Sequence, residues 1–266
     1  MKRLIPTLLV VFAAYAGICA FLLLSQNRLL YVGAAYRPHP PGLTLPTFTT
    51  ASGETVGFVA SPAGTPRGTI VFYHGNGEEA WRDDTRYGPY FTSRGYRVVF
   101  AEYPGYDMRK GEHPTHDLVI ADAIATARQA AQDYPGTPIW IAGNSLGAGI
   151  AAQVAGVVNP PRVLLFVPWD NFAAVAQDHY RWLPAALLIR LDGTNYDSCA
   201  ALQGQGAHVF ITYAGLDHVI PPRHARALAA CLNVPPTQVV ELPAAWHINW
   251  DTQLSSAQWD TLLAPP

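Results

Sequence analysis

The sequence predicts an α/β fold in which helices flank a mostly parallel central sheet. Short apolar runs typical of buried strands alternate along the chain with longer segments of helical composition. One such transition, Pro138 to Val158, passes from an apolar run through Gly143-Asn144-Ser145-Leu146-Gly147 into an Ala-rich, proline-free stretch. A chain of 266 residues, half of them hydrophobic, suits one such domain with a short appendage.

Charge and composition limit the classes of ligand. The formal net charge is -2 and no run of lysine or arginine occurs, so we expect no nucleic-acid partner. No histidine or cysteine spacing typical of a metal site is present. We therefore expect no metal and no cofactor, and small, mostly apolar ligands remain the candidates.

The amino-terminal segment predicts a membrane anchor. Lys2 and Arg3 precede Leu4–Leu24, 21 residues without a charge, which matches the roughly 20 residues of a membrane-spanning helix. We expect residues 1–27 to be an uncleaved, single-pass signal anchor. The alternative is a signal peptide cleaved after Ala14-Tyr15-Ala16, which would release a secreted protein. The positive-inside rule places the folded domain outside the cytoplasm, on the periplasmic side of the inner membrane if the cell is bacterial.

A proline-containing linker, residues 28–42, is predicted to follow the anchor, and the folded domain is predicted to occupy 43–266. Its first strands are expected at Phe48–Thr50 and Thr55–Ala60, because the residues between them have the composition of a hairpin turn.

Two of the three cysteines fall in the predicted domain. Cys19 lies in the apolar segment, which leaves Cys199 and Cys231. They could pair in an oxidising compartment, but buried unpaired cysteine is the more common state, so we do not expect a disulfide.

Ser145 is the candidate nucleophile. The pattern G-x-S-x-G between a strand and a helix is typical of a nucleophile elbow, whose tight turn excludes side chains at the flanking positions and raises the serine hydroxyl above the sheet. An ordinary glycine-rich turn is the alternative interpretation. If the elbow is real, an acid and then a histidine should follow it along the chain.

A second glycine-rich turn predicts an oxyanion hole. The apolar strand Gly68–Tyr73 runs into His74-Gly75-Asn76-Gly77. Acyl-transfer enzymes hold the tetrahedral oxyanion with one backbone N–H after the nucleophile and another after an early strand, which here would be those of Leu146 and Asn76. His74 is expected to order this loop, with direct proton transfer as the alternative.

The acid and the base are sought after the last two predicted strands. Asp217 follows the strand His208–Tyr213, and His247 follows the strand Val239–Leu242. A carboxylate beside the base fixes its tautomer and stabilises the imidazolium, so Asp217 and His247 are the predicted pair. Asp170, after the preceding strand, is the alternative acid.

Aromatic residues in two segments are candidates for substrate binding. Tyr103 and Tyr106 lie in a loop after the strand Arg97–Tyr103, although packing roles are equally typical of such residues. The insertion at about residues 170–196 carries Trp182 and many apolar side chains, which predicts a lid over the site. A cap helix packed on the core without ligand contact is the alternative.

The motifs HGN, YPGY and GNSLG, in this order, resemble the serine hydrolases of the α/β-hydrolase superfamily, in particular the Bem46-like and ABHD13-like membrane-anchored group. The resemblance implies the α/β-hydrolase fold and agrees with Ser145, Asp217 and His247 as a catalytic triad. Two features depart from the group: Asn144 replaces a common histidine, and Pro104 and Asp107 alter the usual loop.

The expected function is therefore a serine hydrolase that cleaves carboxylic esters or thioesters through an acyl-enzyme intermediate. Its substrate would be a small-molecule or lipid-like acyl ester. A peptidase or amidase on the same fold is the first alternative, because the triad does not distinguish leaving groups. A non-catalytic, membrane-anchored binding module is the second.

Overall fold

The computed structural model describes residues 4–33, 40 and 42–265. In this part of the chain, eight strands form one sheet in the order β1-β2-β4-β3-β5-β6-β7-β8. The strands are β1 (Thr47–Thr49), β2 (Thr55–Ala60), β3 (Gly68–Tyr73), β4 (Tyr96–Ala101), β5 (Ile139–Asn144), β6 (Val163–Phe166), β7 (Val209–Ala214) and β8 (Val239–Leu242). Only β1–β2 and β2–β4 pair antiparallel, and all other pairs in the sheet are parallel. The predicted fold class is confirmed.

Helices cover both faces of the sheet. They are α1 (Leu4–Leu30), α2 (Ala80–Thr92), α3 (His116–Asp133), α4 (Leu146–Val158), α5 (Phe172–His179), α6 (Ala185–Asp192), α7 (Ser198–Ala201), α8 (Pro222–Leu232), α9 (Trp250–Gln253) and α10 (Ser256–Leu262). Side chains of α3, α4 and α8 pack in one core cluster, and those of α2, α9 and α10 pack in another on the opposite face.

Strand β3 shows why the central strands have continuous apolar sequences. Ile70 and Phe72 belong to one core cluster, whereas Val71 and Tyr73 belong to the other, and all four are fully buried. Successive side chains of a strand point to opposite faces, so a strand covered by helices on both sides has no polar face.

Helix α1 is the predicted anchor segment. Residues Ile5–Leu30 are long and apolar enough to cross a membrane, as an anchor or a signal sequence would be. The helix packs against α6, and Leu30 and Tyr31 are buried in the main core cluster. The start of the predicted linker therefore packs on the domain, whereas residues 34–39 and 41 of that linker lie outside the described residues.

The expectation that Cys199 and Cys231 remain unpaired is wrong. Cys199 of α7 and Cys231 of α8 form a disulfide with their Cα atoms 6.1 Å apart. The sequence alone does not bring α7 beside α8, since this proximity arises from their packing beside α4 and β7. The disulfide is consistent with an oxidising compartment.

We expect Cys199→Ala/Cys231→Ala to lower the Tm of the full-length protein by roughly 6–12 °C, because a disulfide of this span contributes about 3–4 kcal/mol by restricting the unfolded chain. Thermal unfolding in detergent micelles measures the change. Cys19→Ala is the matched control, since Cys19 is a free thiol. Dithiothreitol should destabilise the wild type and leave the double variant unaffected; equal sensitivity of both would contradict the prediction.

Candidate active site

Ser145 lies at the junction of β5 and α4 with φ 56° and ψ −116°. A residue other than glycine rarely adopts positive φ, and such strain persists only where the surroundings impose it. A Cβ on Gly143 would lie 2.0 Å from the carbonyl oxygen of Gly147, and a Cβ on Gly147 would lie 1.9 Å from that of Tyr73. Both flanking positions therefore require glycine, for the steric reason on which the motif was identified.

The structure brings the three predicted triad residues together. The Ser145 Oγ lies 3.0 Å from Nε2 of His247. The other ring nitrogen of His247, Nδ1, lies 2.7 Å from Oδ2 of Asp217. Because β5, β7 and β8 run parallel, their carboxyl ends meet at one edge of the sheet, and the loops that follow deliver one residue each.

The carboxylate of Asp217 is held from both sides. Its Oδ1 accepts the backbone N–H groups of Val219 and Ile220, each at 2.8 Å, which leaves Oδ2 for the histidine. Asp217 is 4% exposed. These contacts fix the carboxylate; because a carboxylate accepts, it favours donation from Nδ1 of His247 and orients Nε2 toward Ser145.

The two predicted oxyanion donors lie beside the nucleophile. Leu146 is the first residue of α4, where a backbone N–H has no helical carbonyl to bind. The side chain of Asn76 fixes its own loop: Oδ1 accepts from the Tyr106 hydroxyl at 2.9 Å, and Nδ2 donates to the Leu30 carbonyl at 2.6 Å. Asn76, Leu146 and Ser145 all line the same cavity.

His74 is buried and both of its ring nitrogens are occupied. Nδ1 lies 2.8 Å from the Gly75 carbonyl oxygen, and Nε2 lies 2.9 Å from Oε1 of Glu102. Burial lowers the pKa of His74, but the charge and hydrogen bond of Glu102 outweigh burial, so the pKa is raised. His74 therefore orders its loop, as expected, and sequence analysis missed Glu102, whose only signal is its position directly after β4.

The aromatic candidates lie outside the cavity. Tyr103 and Tyr106 are buried, and the Tyr103 hydroxyl donates to the His74 carbonyl at 2.8 Å. Burial also raises the pKa of Tyr103 well above its ordinary value. Trp182 is 64% exposed on the outside of the lid. These tyrosines bind His74 and Asn76 of the predicted oxyanion loop, residues 74–77, and neither they nor Trp182 are among the residues that line the cavity.

The residue before the nucleophile connects the elbow to the oxyanion loop. Asn144 Nδ2 donates to Oε2 of Glu78 at 2.9 Å, and the same oxygen accepts the Gly75 N–H at 2.8 Å. Trp250 donates to Oδ1 of Asn144 at 2.9 Å. Asparagine thus satisfies a donor and an acceptor here, and sequence analysis did not identify Glu78.

The alternative acid, Asp170, binds a different histidine. Its Oδ1 lies 2.8 Å from Nδ1 of His224, and Nε2 of His224 lies 2.7 Å from Oδ2 of Asp178. Arg223 pairs with Asp178 as well. Burial lowers the pKa of His224, but hydrogen bonds to both carboxylates outweigh it and raise the pKa. This cluster of side chains joins α5 to α8. Asp170 therefore contacts His224, whereas Asp217 contacts His247.

An apolar cavity of about 560 Å³ opens above Ser145. Its walls come from the predicted lid, which contains α5 and α6, and from α1. The apolar lining side chains include Leu22, Leu29, Leu30, Trp169, Phe172, Val175, Ala176, Leu183, Leu188, Ile189, Val219 and Ile220. The cavity can therefore surround an apolar group of a ligand whose polar end lies beside Ser145.

Comparisons with known proteins agree with this architecture. A family model described as serine aminopeptidase, S33, matches residues 64–187. An uncharacterized protein of Mycobacterium tuberculosis is 27% identical over 255 residues, 92% of this chain and 88% of that protein. Lysophosphatidylserine lipase ABHD12 of Danio rerio is 26% identical over 168 residues, 57% of this chain and 44% of that protein.

The solved structure of an esterase from Thermogutta terrifontis superimposes with a TM-score of 0.58 at 17% identity, over 82% of this chain and 88% of that one. At 17% identity, this structural similarity shows the fold alone. The chain has the α/β-hydrolase fold, and its segment 64–187 is similar to the serine aminopeptidase S33 family.

Proposed function

We propose that this protein is a serine hydrolase that cleaves carboxylic esters or thioesters through an acyl-enzyme intermediate. The observation that carries the proposal is the continuous hydrogen-bond chain from Ser145 through His247 to Asp217. A serine is a weak nucleophile unless an oriented base removes its proton, and this chain supplies that base.

In the proposed reaction, Ser145 Oγ attacks the acyl carbon while His247 Nε2 takes the hydroxyl proton. The tetrahedral oxyanion accepts hydrogen bonds from the N–H groups of Asn76 and Leu146. The carbon–oxygen or carbon–sulfur bond to the leaving group then breaks, and the leaving group takes the proton from His247. Water, deprotonated by His247, attacks the acyl-enzyme and releases the acid and the free serine.

The cavity supports an acyl ester as the substrate class. Its walls are largely apolar, and each methylene of a buried chain adds about 0.8 kcal/mol of binding. The relatives include a lysophosphatidylserine lipase, and a structural neighbour is an esterase. We therefore expect medium or longer acyl chains to be preferred over acetate.

Two alternatives follow from other observations. The matching family model is described as serine aminopeptidase, which keeps a peptidase or amidase as the second candidate. An apolar cavity is a poor binding site for a charged peptide amine, and this favours the ester. A non-catalytic binding module would have no need of the strained Ser145 backbone.

For cellular location we propose a single-pass protein of the Bem46-like and ABHD13-like kind, with α1 in the membrane and the catalytic domain outside the cytoplasm. The apolar length of α1 and the disulfide between Cys199 and Cys231 support this proposal. Cleavage of α1 as a signal peptide, with secretion of the domain, is the alternative.

Substitution of the nucleophile or the base tests the proposed reaction. We expect Ser145→Ala and His247→Ala each to lower kcat for a p-nitrophenyl ester by about 10⁴–10⁶, and the double variant to be scarcely worse, because the residues act as a unit. His208→Ala, an exposed histidine remote from the triad, is the control. A fluorophosphonate probe should label wild type but not Ser145→Ala. A folded Ser145→Ala that retains most activity would refute the proposal.

The two aspartates can be separated by the same assay. We expect Asp217→Asn to lower kcat by about 10⁴ with the fold intact, because the amide stabilises the wrong tautomer of His247. Asp170→Asn, whose carboxylate binds His224, should have a far smaller effect. The opposite ranking would assign the acid to Asp170.

Membrane attachment is tested by washing. The full-length protein should remain in the membrane pellet at alkaline pH, because insertion of a spanning helix is effectively irreversible. Protease added outside intact cells or spheroplasts should digest the domain. Release into the wash would favour cleavage, and protection from protease would reverse the proposed orientation.

A further inference from the structure

One face of the membrane helix borders the catalytic cavity. Leu22, Gln26, Leu29 and Leu30 of α1 all line it. Their spacing, i, i+4, i+7 and i+8, places them on one side of an α-helix. Leu24 lies on the opposite side and is 87% exposed. Helix α1 thus presents one face to the cavity and another to its surroundings.

The lid supplies the wall that faces α1. Leu188 and Ile189 of α6 line the same cavity, and α6 packs directly against α1. The Gln26 side chain accepts a hydrogen bond from the hydroxyl of Thr194 at 2.8 Å, just beyond α6. Further along α1, the Tyr15 hydroxyl donates to the backbone carbonyl of Trp182 at 3.0 Å. The helix is therefore held in a defined position on the lid.

The end of α1 is also tied to the oxyanion loop. Asn76 donates to the carbonyl of Leu30, which is an orphan acceptor at the helix terminus, and accepts from the N–H of Val32 at 3.3 Å. The hydroxyls of Tyr31 and Tyr196 lie 2.5 Å apart. Leu30 therefore lies at the catalytic end of the cavity. Leu22, eight residues earlier, lies about 12 Å away along the helix axis.

We propose that α1 is a wall of the acyl-chain site, so that the acyl chain of the substrate lies along Leu29 and Leu22 as it leads away from Ser145. This inference rests on the proposed hydrolase function and identifies residues of the membrane helix as determinants of chain length. Leu22 belongs to the uncharged run Leu4–Leu24, which is the part of α1 suited to hydrocarbon. A chain can then pass from the bilayer to the serine along α1 without crossing water.

The side chains that line the cavity agree with an uncharged acyl chain as its occupant. The α1 wall offers three leucines and one glutamine, Gln26, whose side-chain oxygen accepts from Thr194 and whose side-chain nitrogen is buried without a hydrogen-bond partner among the described residues. The polar side chains of Ser145, Asn76, His179 and Tyr180 also line the cavity. The acyl carbonyl is placed beside Ser145 and Asn76, and the hydrocarbon is placed between α1 and α6.

The first test enlarges one α1 side chain on each side of the helix. Full-length wild type, Leu22→Trp and Leu24→Trp are assayed in the same micelles with p-nitrophenyl acetate and p-nitrophenyl dodecanoate. We expect Leu22→Trp to lower the ratio of kcat/KM for dodecanoate to that for acetate at least tenfold, because each excluded methylene weakens binding about fourfold. Leu24→Trp should keep the wild-type ratio. An unchanged ratio in a folded Leu22→Trp would overturn the proposal.

The second test needs no substitution. A long-chain fluorophosphonate with a photoreactive diazirine at the far end of its chain is reacted with the wild type, irradiated and mapped by peptide mass spectrometry. Crosslinks to the α1 peptides that contain Leu22 or Leu29 are expected. Crosslinks confined to α5, α6 or α8 would overturn the proposal.

These experiments distinguish failure of the proposed hydrolase function from failure of the proposed role of α1. If wild type neither hydrolyses an ester nor reacts with the fluorophosphonate at Ser145, the proposed function itself fails. If wild type hydrolyses the ester and reacts with the fluorophosphonate, the proposed function stands. If Leu22→Trp then keeps the wild-type ratio of kcat/KM values and the diazirine forms no crosslink to α1, only the proposed role of α1 in acyl-chain binding is refuted. The rate of p-nitrophenyl dodecanoate hydrolysis is also compared between vesicles and micelles. A higher rate from vesicles is expected if the acyl chain enters from a bilayer.

Discussion

The close approach of the nucleophile elbow to the end of β3 is the constraint on which the site depends. At Gly147 there is no room for a Cβ, because the carbonyl oxygen of Tyr73 would lie 1.9 Å from it and that of His74 2.6 Å. This contact presses the start of α4 against the oxyanion loop, so the N–H of Leu146 and the loop residue Asn76 lie beside one cavity. The strain at Ser145 is maintained by the same packing.

Two glutamates, Glu102 and Glu78, hydrogen-bond to the loop that follows β3 and hold it in place. Glu102 binds the His74 ring with one carboxylate oxygen and the N–H of Ala80 with the other, at 2.9 and 3.0 Å. Glu78 joins Gly75 to Asn144. Glu102 is fully buried, and a buried carboxylate is unfavourable unless it is hydrogen-bonded, so its bonds favour a single loop conformation; Glu78 is half-buried and adds two further hydrogen bonds. The loop of residues 74–77 is thus held in one conformation, and such preorganisation is what the proposed oxyanion hole requires.

The sequence was sufficient for those parts of the site that local rules specify. The glycines around Ser145 predict a tight turn, and the order of strands places Asp217 and His247 at the same edge of the sheet. The supporting residues were missed because their roles are set by distant partners: Glu78 contacts Asn144, 66 positions away. The disulfide was missed for the same reason, since a pairing depends on helix packing that no local pattern encodes.

The apolar helix α1 shows how a boundary predicted from sequence differs from the packing of the folded chain. Composition predicts an apolar segment, a proline-rich linker and then a folded domain. In the structure, Tyr31 is buried in the main core and Asn76 donates to the Leu30 carbonyl, so the end of α1 and the start of the predicted linker pack on the domain. A helix that serves only as a tether needs no such contacts. With α1 in a membrane, as proposed, its contacts with Asn76 and with the cavity would couple the position of the bilayer to the geometry around Ser145.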